Sequence, residues 1–495
     1  MPLHEATDVD YAEMGSPWLC SPLERPREGC YRPTRVGQVI TLVDFDGRRP
    51  ERFVYSGYDV DPRNGRLEFR YAFEGGPEFT EAIEFHHPLP DLSAEDQAAF
   101  THAVRFLYAV AGTSYYKLYA TESCDLRGLP LAPKEVRFLE QIFAGGLAEF
   151  AYRNGLDLSG KPKFTGAGQV PEVASHGTLS ALDPTKSVVL IGGGKDSLVS
   201  VEAMRAAKAE FALFAVNPRQ PMKECARIAD KPLISVDRRL DPLLFELNSR
   251  PDTYNGHVPI TAIVSLIAVV GCFFYGYANI ILSNERSADE PNLVVGKQDV
   301  NHQYSKTSTF ENDIAAYLHE FVSHRIAYFS LLRPLSELHI ASLFAKTDRY
   351  DHVFTSCNRA FKLRDRPDTL WCGECAKCRF TFLLLAVVMP AERLLAIFPG
   401  NLLDDPKQIA GYRELCGLGL HKPWDCVGEE LESAVALVTL ARRDEWRTAA
   451  VLRALAPDLG KSSTTVDAAL TDFMTPRHGA MIPDRFRLLL DSYVA

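Results

Sequence analysis

Residues 187–200 read SVVLIGGGKDSLVS. A β-branched apolar run enters three consecutive glycines, Gly192, Gly193 and Gly194, and leaves through Lys195, Asp196 and Ser197 into a second apolar stretch. The run favours a strand, and the glycines end it. SLVSVEAMRAAKA then carries apolar residues at helical spacing, and EFALFAVN is another short apolar run. Strand, glycine turn, helix and strand in this order specify an α/β fold, because parallel neighbours need a crossover of about helical length. The expectation is a parallel sheet with helices on both faces.

The same turn narrows the chemistry. Glycines let the backbone approach an anion, and the free N–H groups of a helix start point at it. A Walker loop would need glycine at Val189 and Ser or Thr at Asp196, so that reading fails twice. A dinucleotide fingerprint finds Gly192 and Gly194 but Ser197 in its third glycine place. What remains is a phosphate loop of another kind, with Lys195 adding charge and Asp196 able to recruit Mg²⁺. A purely structural glycine turn is the alternative.

The chain has 495 residues, enough for two to four domains, and a formal net charge of −10 with both signs interspersed. Such a charge disfavours broad nucleic-acid binding. The start, MPLHEATDVDYAEMGSPW, is acidic and lacks the apolar core of a signal peptide. The uncharged stretch Val258 to Leu282 is long enough to cross a bilayer. Gly271, Gly276 and Asn279 interrupt it, so it reads as a buried helix followed by a central strand. The expectation is a cytoplasmic protein with no membrane or nucleic-acid partner; the oligomeric state is open.

Four regions follow from the patterning. Residues 1–158 form a β-rich plus helical domain. VGQVITLVDFDG, RRPERFVYSGYDV and RLEFRYAFEGG read as strands, and residues 93–112 and 133–155 as helices. Residues 159–186, rich in Gly, Pro, Ser and Thr, read as a linker. Residues 187–400 form an α/β domain that carries the glycine turn, and residues 401–495 are mainly helical, with one long helical stretch at 429–456.

Of eleven cysteines, Cys372, Cys375 and Cys378 stand in WCGECAKCRF and Cys357 in TSCNRAF. Two C-x₂-C steps and a distal partner suit a closed tetrahedral zinc shell of structural type. An iron–sulfur cluster is the rival. Cys225 and Cys272 lie in apolar helical surroundings and read as core. Three polar segments, YNGHVPIT, SNERSADE and NHQYSKTSTFE, are out of keeping with a core. SNERSADE follows the strand ANIIL and so sits at the carboxyl end of the sheet, where ligands bind in open α/β folds.

IGGGKDS resembles the SGGxDS loop of the ATP pyrophosphatase (PP-loop) superfamily, with isoleucine in place of the leading serine. Together with NGHVP, SNERSA, NHQYSK, CxxCxxC and KPWDCVGEELE, in this order, it is similar to the MurL family of UDP-N-acetylmuramoyl-L-alanyl-L-glutamate epimerases. The similarity runs from about Tyr116 to Glu432. It implies a PP-loop fold in which Gly192, Gly193, Gly194, Lys195, Asp196 and Ser197 hold the diphosphate of ATP and FALFAVN, ending at Asn217, borders the adenosine. It also implies conversion of the terminal L-glutamate of UDP-MurNAc-L-Ala-L-Glu to D-glutamate with release of AMP and pyrophosphate, for peptidoglycan precursor synthesis.

The expected chemistry is adenylation of the glutamyl carboxylate, which neutralises it and acidifies the α-proton, followed by proton exchange and hydrolysis. Candidates for the acid–base work are His257 first, then Lys306, His302 and Glu285, with Tyr304 as a proton donor. Asn255, Asn284, Arg286, Asn301, Arg333 and Arg359 are candidate substrate contacts, with Lys362 and Arg364 as further cations and Tyr115, Tyr116 and Lys117 as readers of the nucleotide-sugar. The paired cysteines of cofactor-free glutamate racemases are not evident, and no pyridoxal phosphate motif is identified. The alternatives are another AMP-forming ligase or synthase of the 7-cyano-7-deazaguanine synthase type, or a non-catalytic ATP-binding protein.

Overall fold

A computed structural model describes residues 49–169, 180–296, 298–361, 369–419, 421–459, 463–479 and 481–495. The strand expected at VGQVITLVDFDG lies outside these residues, as do Lys362 and Arg364. Among the described residues, ten strands join in one sheet and two form a hairpin. The chain order is β1 (Arg52–Asp61), β2 (Arg66–Phe73), β3 (Glu78–Glu84), β4 (Ser123–Asp125), β5 (Lys163–Thr165), β6 (Asp183–Leu190), β7 (Phe211–Val216), β8 (Leu233–Arg239), β9 (Tyr277–Leu282), β10 (Leu293–Val295), β11 (Gln298–Val300) and β12 (Ala327–Ser330).

The sheet order is β12-β9-β6-β7-β8-β3-β2-β1-β4-β5. The first five strands are parallel, as the alternation of strands and helices requires. The sheet as a whole is mixed rather than parallel. β3 joins β8 antiparallel, with Ala82–Glu84 against Asp237–Arg239, and β3-β2-β1 is an antiparallel meander. The reason is local: β1 and β2 are joined by a tight turn in which Arg63 and Asn64 donate backbone N–H to Asp61 Oδ1 at 3.1 and 3.2 Å. A turn that short leaves no room for a crossover helix. In the region expected as linker, residues 163–165 form β5 and residues 183–190 form β6.

At the β3–β8 seam Arg238 Nε and Nη2 donate to the two oxygens of Glu81 at 2.7 and 3.1 Å, and Nη2 also reaches Ser114 Oγ at 2.8 Å. All three residues are buried. A bidentate pair of this kind fixes register as well as charge.

Side chains alternate between two cores, as strand geometry demands. Phe214 and Val216 of β7, Ile280 of β9 and Tyr328 of β12 face one core, shared with the helix Ile260–Tyr275 and the N-terminal region. Leu213, Ala215, Ile281 and Phe329 face the other, shared with the helix Lys195–Ala206 and the C-terminal helices. Both faces of the sheet are therefore covered. The stretch Val258 to Leu282 is the buried helix Ile260–Tyr275 and the central strand β9, and no helix among the described residues is long and apolar enough to cross a membrane.

Two expected helices are broken. The stretch 133–155 divides into Pro133–Gly146 and Ala148–Arg153, bending at the Gly145–Gly146 pair where Tyr304 and Pro259 pack closely. The stretch 429–456 divides into Glu430–Ala441 and Ala450–Leu459 around the buried Trp446.

Candidate active site

β6 ends at Leu190, and the glycine turn delivers the chain into the helix Lys195–Ala206. Gly193 has φ +83°, a conformation glycine adopts without strain. Gly194 caps the helix with no side-chain hydrogen bond to the first turn, which leaves the leading N–H groups directed at the turn. The turn is tied to the segment before Cys357. Thr355 N donates to Gly193 O at 2.9 Å, and a Cβ on Gly194 would stand 2.6 Å from Ser356 Oγ.

Lys195 is buried and bonds both Asp196 and Glu337. Burial alone would lower its pKa, but the two carboxylates outweigh it and hold the ammonium above its ordinary range. Burial and the Asp196 charge push Glu285 upward, partly offset by Lys306. Lys195, Asp196, Glu285, Lys306 and Glu337 line one narrow cleft of about 50 Å³ together with Ser356, Lys377 and Cys426. The glycine loop therefore meets SNERSADE, expected at the carboxyl end of the sheet, and NHQYSKTSTFE joins them.

Lys306 Nζ donates to Cys426 Sγ at 3.1 Å. Burial would raise the Cys426 thiol, yet Lys306, Lys377 and His302 hold it well below its ordinary value. His302 Nδ1 stands 2.5 Å from Glu149 Oε2. Burial opposes its charge, but Glu149 and Cys426 raise it to about 10. His257 stacks beside it with ring centroids 4.4 Å apart. Burial and the His302 charge lower His257 to about 3, against a partial pull from Glu149 3.8 Å away. The donor atoms of Glu149, His257 and His302 lie within 4.8 Å of one another. However, two ligands of one tetrahedral zinc stand about 3.4 Å apart. The 2.5 Å Glu149–His302 contact is thus that of a hydrogen bond, not of two donors to an ion.

Arg333 does not face a ligand with its whole guanidinium. It donates to Glu285 O at 2.8 Å, to Lys306 O at 2.7 Å and to Glu311 Oε2 at 2.7 Å, so it clamps the backbones that carry two cleft residues. On the other side of this clamp lies a cavity of about 380 Å³, whose walls include Arg286, Arg333, Arg477 and His478. Arg286 is buried, and none of its three nitrogens has a hydrogen-bond partner. Glu429 and Asp472 stand at 3.4 and 3.6 Å, and the guanidinium lies 5.2 Å from the Phe473 ring centre.

Other candidates are engaged elsewhere. Asn217, in the left-handed region at φ +49°, uses its carboxamide to bridge to the backbone of Arg238. Asn255 Oδ1 accepts from Lys117 Nζ at 2.6 Å, and Asn301 bonds Ala288 O and Gln303 N. Asn284 is buried just after β9. Tyr304 packs on Gly145 and Phe310, and burial raises its hydroxyl. Arg359 pairs with Glu374 at 2.6 Å. Tyr115 and Tyr116 are core residues whose hydroxyls bond Asp241 N and Thr121 O, which corrects their reading as nucleotide-sugar contacts. Cys426, Glu149, Glu337 and Lys377 are residues of the candidate site that sequence reasoning did not single out. Cys426 stands in KPWDCVGEELE but at no ligand or nucleophile spacing that marks its chemistry, and Glu149 lies in a short helix with no motif of its own.

The four Sγ atoms of Cys357, Cys372, Cys375 and Cys378 lie within 4.8 Å of one another. Cys372 and Cys378 are 3.7 Å apart, and Cys375 and Cys378 3.5 Å. Zn–S bonds of about 2.3 Å in a tetrahedron put sulfurs about 3.8 Å apart, so the donors fit. Backbone amides of Cys372 and Glu374 donate to Cys357 Sγ and Cys372 Sγ at 3.4 Å each, as thiolate ligands accept. Gly373, at φ +75°, makes the knuckle turn.

A family model described as the MurL N-terminal domain matches residues 44–331, and one described as the MurL C-terminal domain matches residues 353–470. Three relatives bear the name UDP-N-acetyl-alpha-D-muramoyl-L-alanyl-L-glutamate epimerase. One from a Micromonospora species is 43% identical over 88% of this chain and 97% of its own length. One from Salinispora tropica is 41% identical over 90% and 96%, and one from Xanthomonas oryzae pv. oryzae 40% over 84% and 91%. With both of its domains matched and relatives aligned along most of its length, the chain belongs to the MurL family.

Proposed function

We propose that this protein inverts the α-carbon of the terminal glutamate in UDP-MurNAc-L-Ala-L-Glu, using ATP to activate the glutamyl carboxylate. The observation that carries the reading is one cleft in which a glycine loop with free helix N–H groups meets Lys306, Cys426 and Glu285. An α-proton beside a free carboxylate is hard to remove because the product is a dianion. Transfer of AMP to that carboxylate removes the charge and makes proton transfer feasible; water then releases AMP.

The residues divide this work. Gly192 to Gly194, the N–H groups after them and Lys195 would hold the phosphates. Asp196 would hold Mg²⁺, whose charge balances that of the triphosphate. Arg286, with unbonded nitrogens at the cavity of about 380 Å³, would grip the diphosphate of the substrate. Arg333 keeps Glu285 and Lys306 in register between the two spaces. Zinc at the four cysteines would be structural: it would fix Cys357, and two residues before it Thr355, whose N–H holds the glycine loop.

The test is incubation with UDP-MurNAc-L-Ala-L-Glu, ATP and Mg²⁺ in D₂O. AMP, a D-glutamyl product and deuterium at the glutamyl α-carbon are expected. AMP without α-deuterium would replace the epimerase with a ligase, and neither product would leave only a binding protein.

A further inference from the structure

Cys426, in the segment KPWDCVGEELE, is the group in the cleft best placed to handle a proton. Three cations converge on its sulfur from three parts of the chain. Lys306 Nζ stands 3.1 Å away in the segment after β11, Lys377 comes from the helix Ala376–Val388 and lines the same cleft, and the charge of His302 acts on it from beside the β10–β11 hairpin. The charged groups across the same cleft are Lys195, Asp196, Glu285 and Glu337. His302 is itself oriented by Glu149 at 2.5 Å, so the carboxylate holds the imidazolium whose charge acts on the sulfur. Cys426 is only partly buried, which leaves its sulfur open to the cleft.

We propose that Cys426 Sγ is the base that takes the glutamyl α-proton, gripped by Lys306 and by the His302–Glu149 pair as positioning groups. The proposal deepens the epimerase reading and rests on it. In the step, the Cα–H bond breaks and its electron pair passes into the enolate of the activated glutamyl group, while the proton forms the S–H bond. A solvent-derived proton added to the opposite face of Cα completes the inversion, and loss of the S–H proton to solvent restores the sulfur. A low-pKa thiol suits this work because it is deprotonated near neutrality yet regains a proton readily.

Cys426→Ala and Cys426→Ser are compared with the wild-type protein for three readouts: AMP release, α-deuterium uptake in D₂O, and zinc content with melting temperature as checks on folding. The expected result is folded variants that still form AMP from ATP and substrate but lose α-deuterium uptake by roughly 10²–10⁴-fold. A second variant, Lys306→Gln, should move the acidic limb of the exchange rate upward in pH, toward the ordinary thiol value of about 8.5. Wild-type deuterium uptake in Cys426→Ala would overturn the proposal while leaving the epimerase reading intact. A substrate-sized mass on Cys426 after acid quenching would also overturn it, since the sulfur would then be a nucleophile rather than a base. If the wild-type protein takes up deuterium without making AMP, the adenylation reading fails and the Cys426 comparison still decides the base.

Discussion

Lowering the pH from 6.5 to 4.5 should destabilise the wild-type protein by about 2 kcal/mol more than it destabilises a His257→Gln variant. His257 is buried beside the charged His302, and its folded pKa is about 3. In the unfolded chain it returns to about 6.5. Between these values the unfolded chain binds a proton that the native site refuses, so the penalty is absent above pH 6.5 and grows as pH falls toward 3. The limiting slope is about 1.4 kcal/mol per pH unit, and integration from a half-protonated start at pH 6.5 gives the figure above. Glutamine is neutral throughout and fills similar space. Glu149 stays ionised in this window, with its pKa near 2, because His302 and His257 outweigh the effect of burial. His302 stays charged, with its pKa near 10, so both contributions cancel in the comparison. The measurement is the difference in urea midpoints at pH 6.5, 5.5 and 4.5, used as a difference because a chain of 495 residues need not unfold in one step. His257 Cε1 chemical shifts in labelled protein give an independent reading and should not titrate above pH 4.5. A wild-type minus variant difference that does not change with pH would refute the reasoning.

Three further outcomes follow from the geometry. Cys375→Ser should drop zinc from about one per chain to about none by elemental analysis, and it should weaken ATP binding through the Thr355–Gly193 contact, measured by calorimetry. Glu81→Ala should cost roughly 3–5 kcal/mol by chemical denaturation because it leaves Arg238 buried without its partner; the double change Glu81→Leu with Arg238→Met should recover most of the loss. Arg286→Ala should raise KM for the UDP-linked substrate about 10–100-fold with kcat little changed, as expected for a charge-assisted contact made equally in ground and transition states.

What could be read from the sequence was local. The strand–glycine–helix unit shows itself because Gly193 and its neighbours interrupt an apolar run within a few residues. The four-cysteine cluster shows itself by spacing, and the buried helix Ile260–Tyr275 by its apolar length with Gly276 as a stop. The meeting of Lys306 with Cys426 joins residues 120 apart, and that of His302 with Glu149 joins residues 153 apart. No periodicity encodes such pairs, so His302 and Lys306 were legible as acid–base candidates but their partners were not. Arg333 was expected at a ligand for its charge alone; its three carbonyl and carboxylate partners are set by the packing of β12 against β9. The mixed sheet escaped the sequence for a related reason. Strand patterning reports which faces are apolar, not which edge a meander will join.

That joining edge bears on how the molecule can be cut. β8 would end the parallel half with an open row of N–H and C=O groups, and β3 covers it over Asp237–Arg239. Phe85, just after β3, stacks on Phe274 of the long buried helix at 4.3 Å. Trimming away the N-terminal third would therefore uncover both a sticky strand and an aromatic face, and the remainder would seek another chain to pair with. The parallel half is not a separable module that acquired an appendage; its edge is closed by the strands beside it.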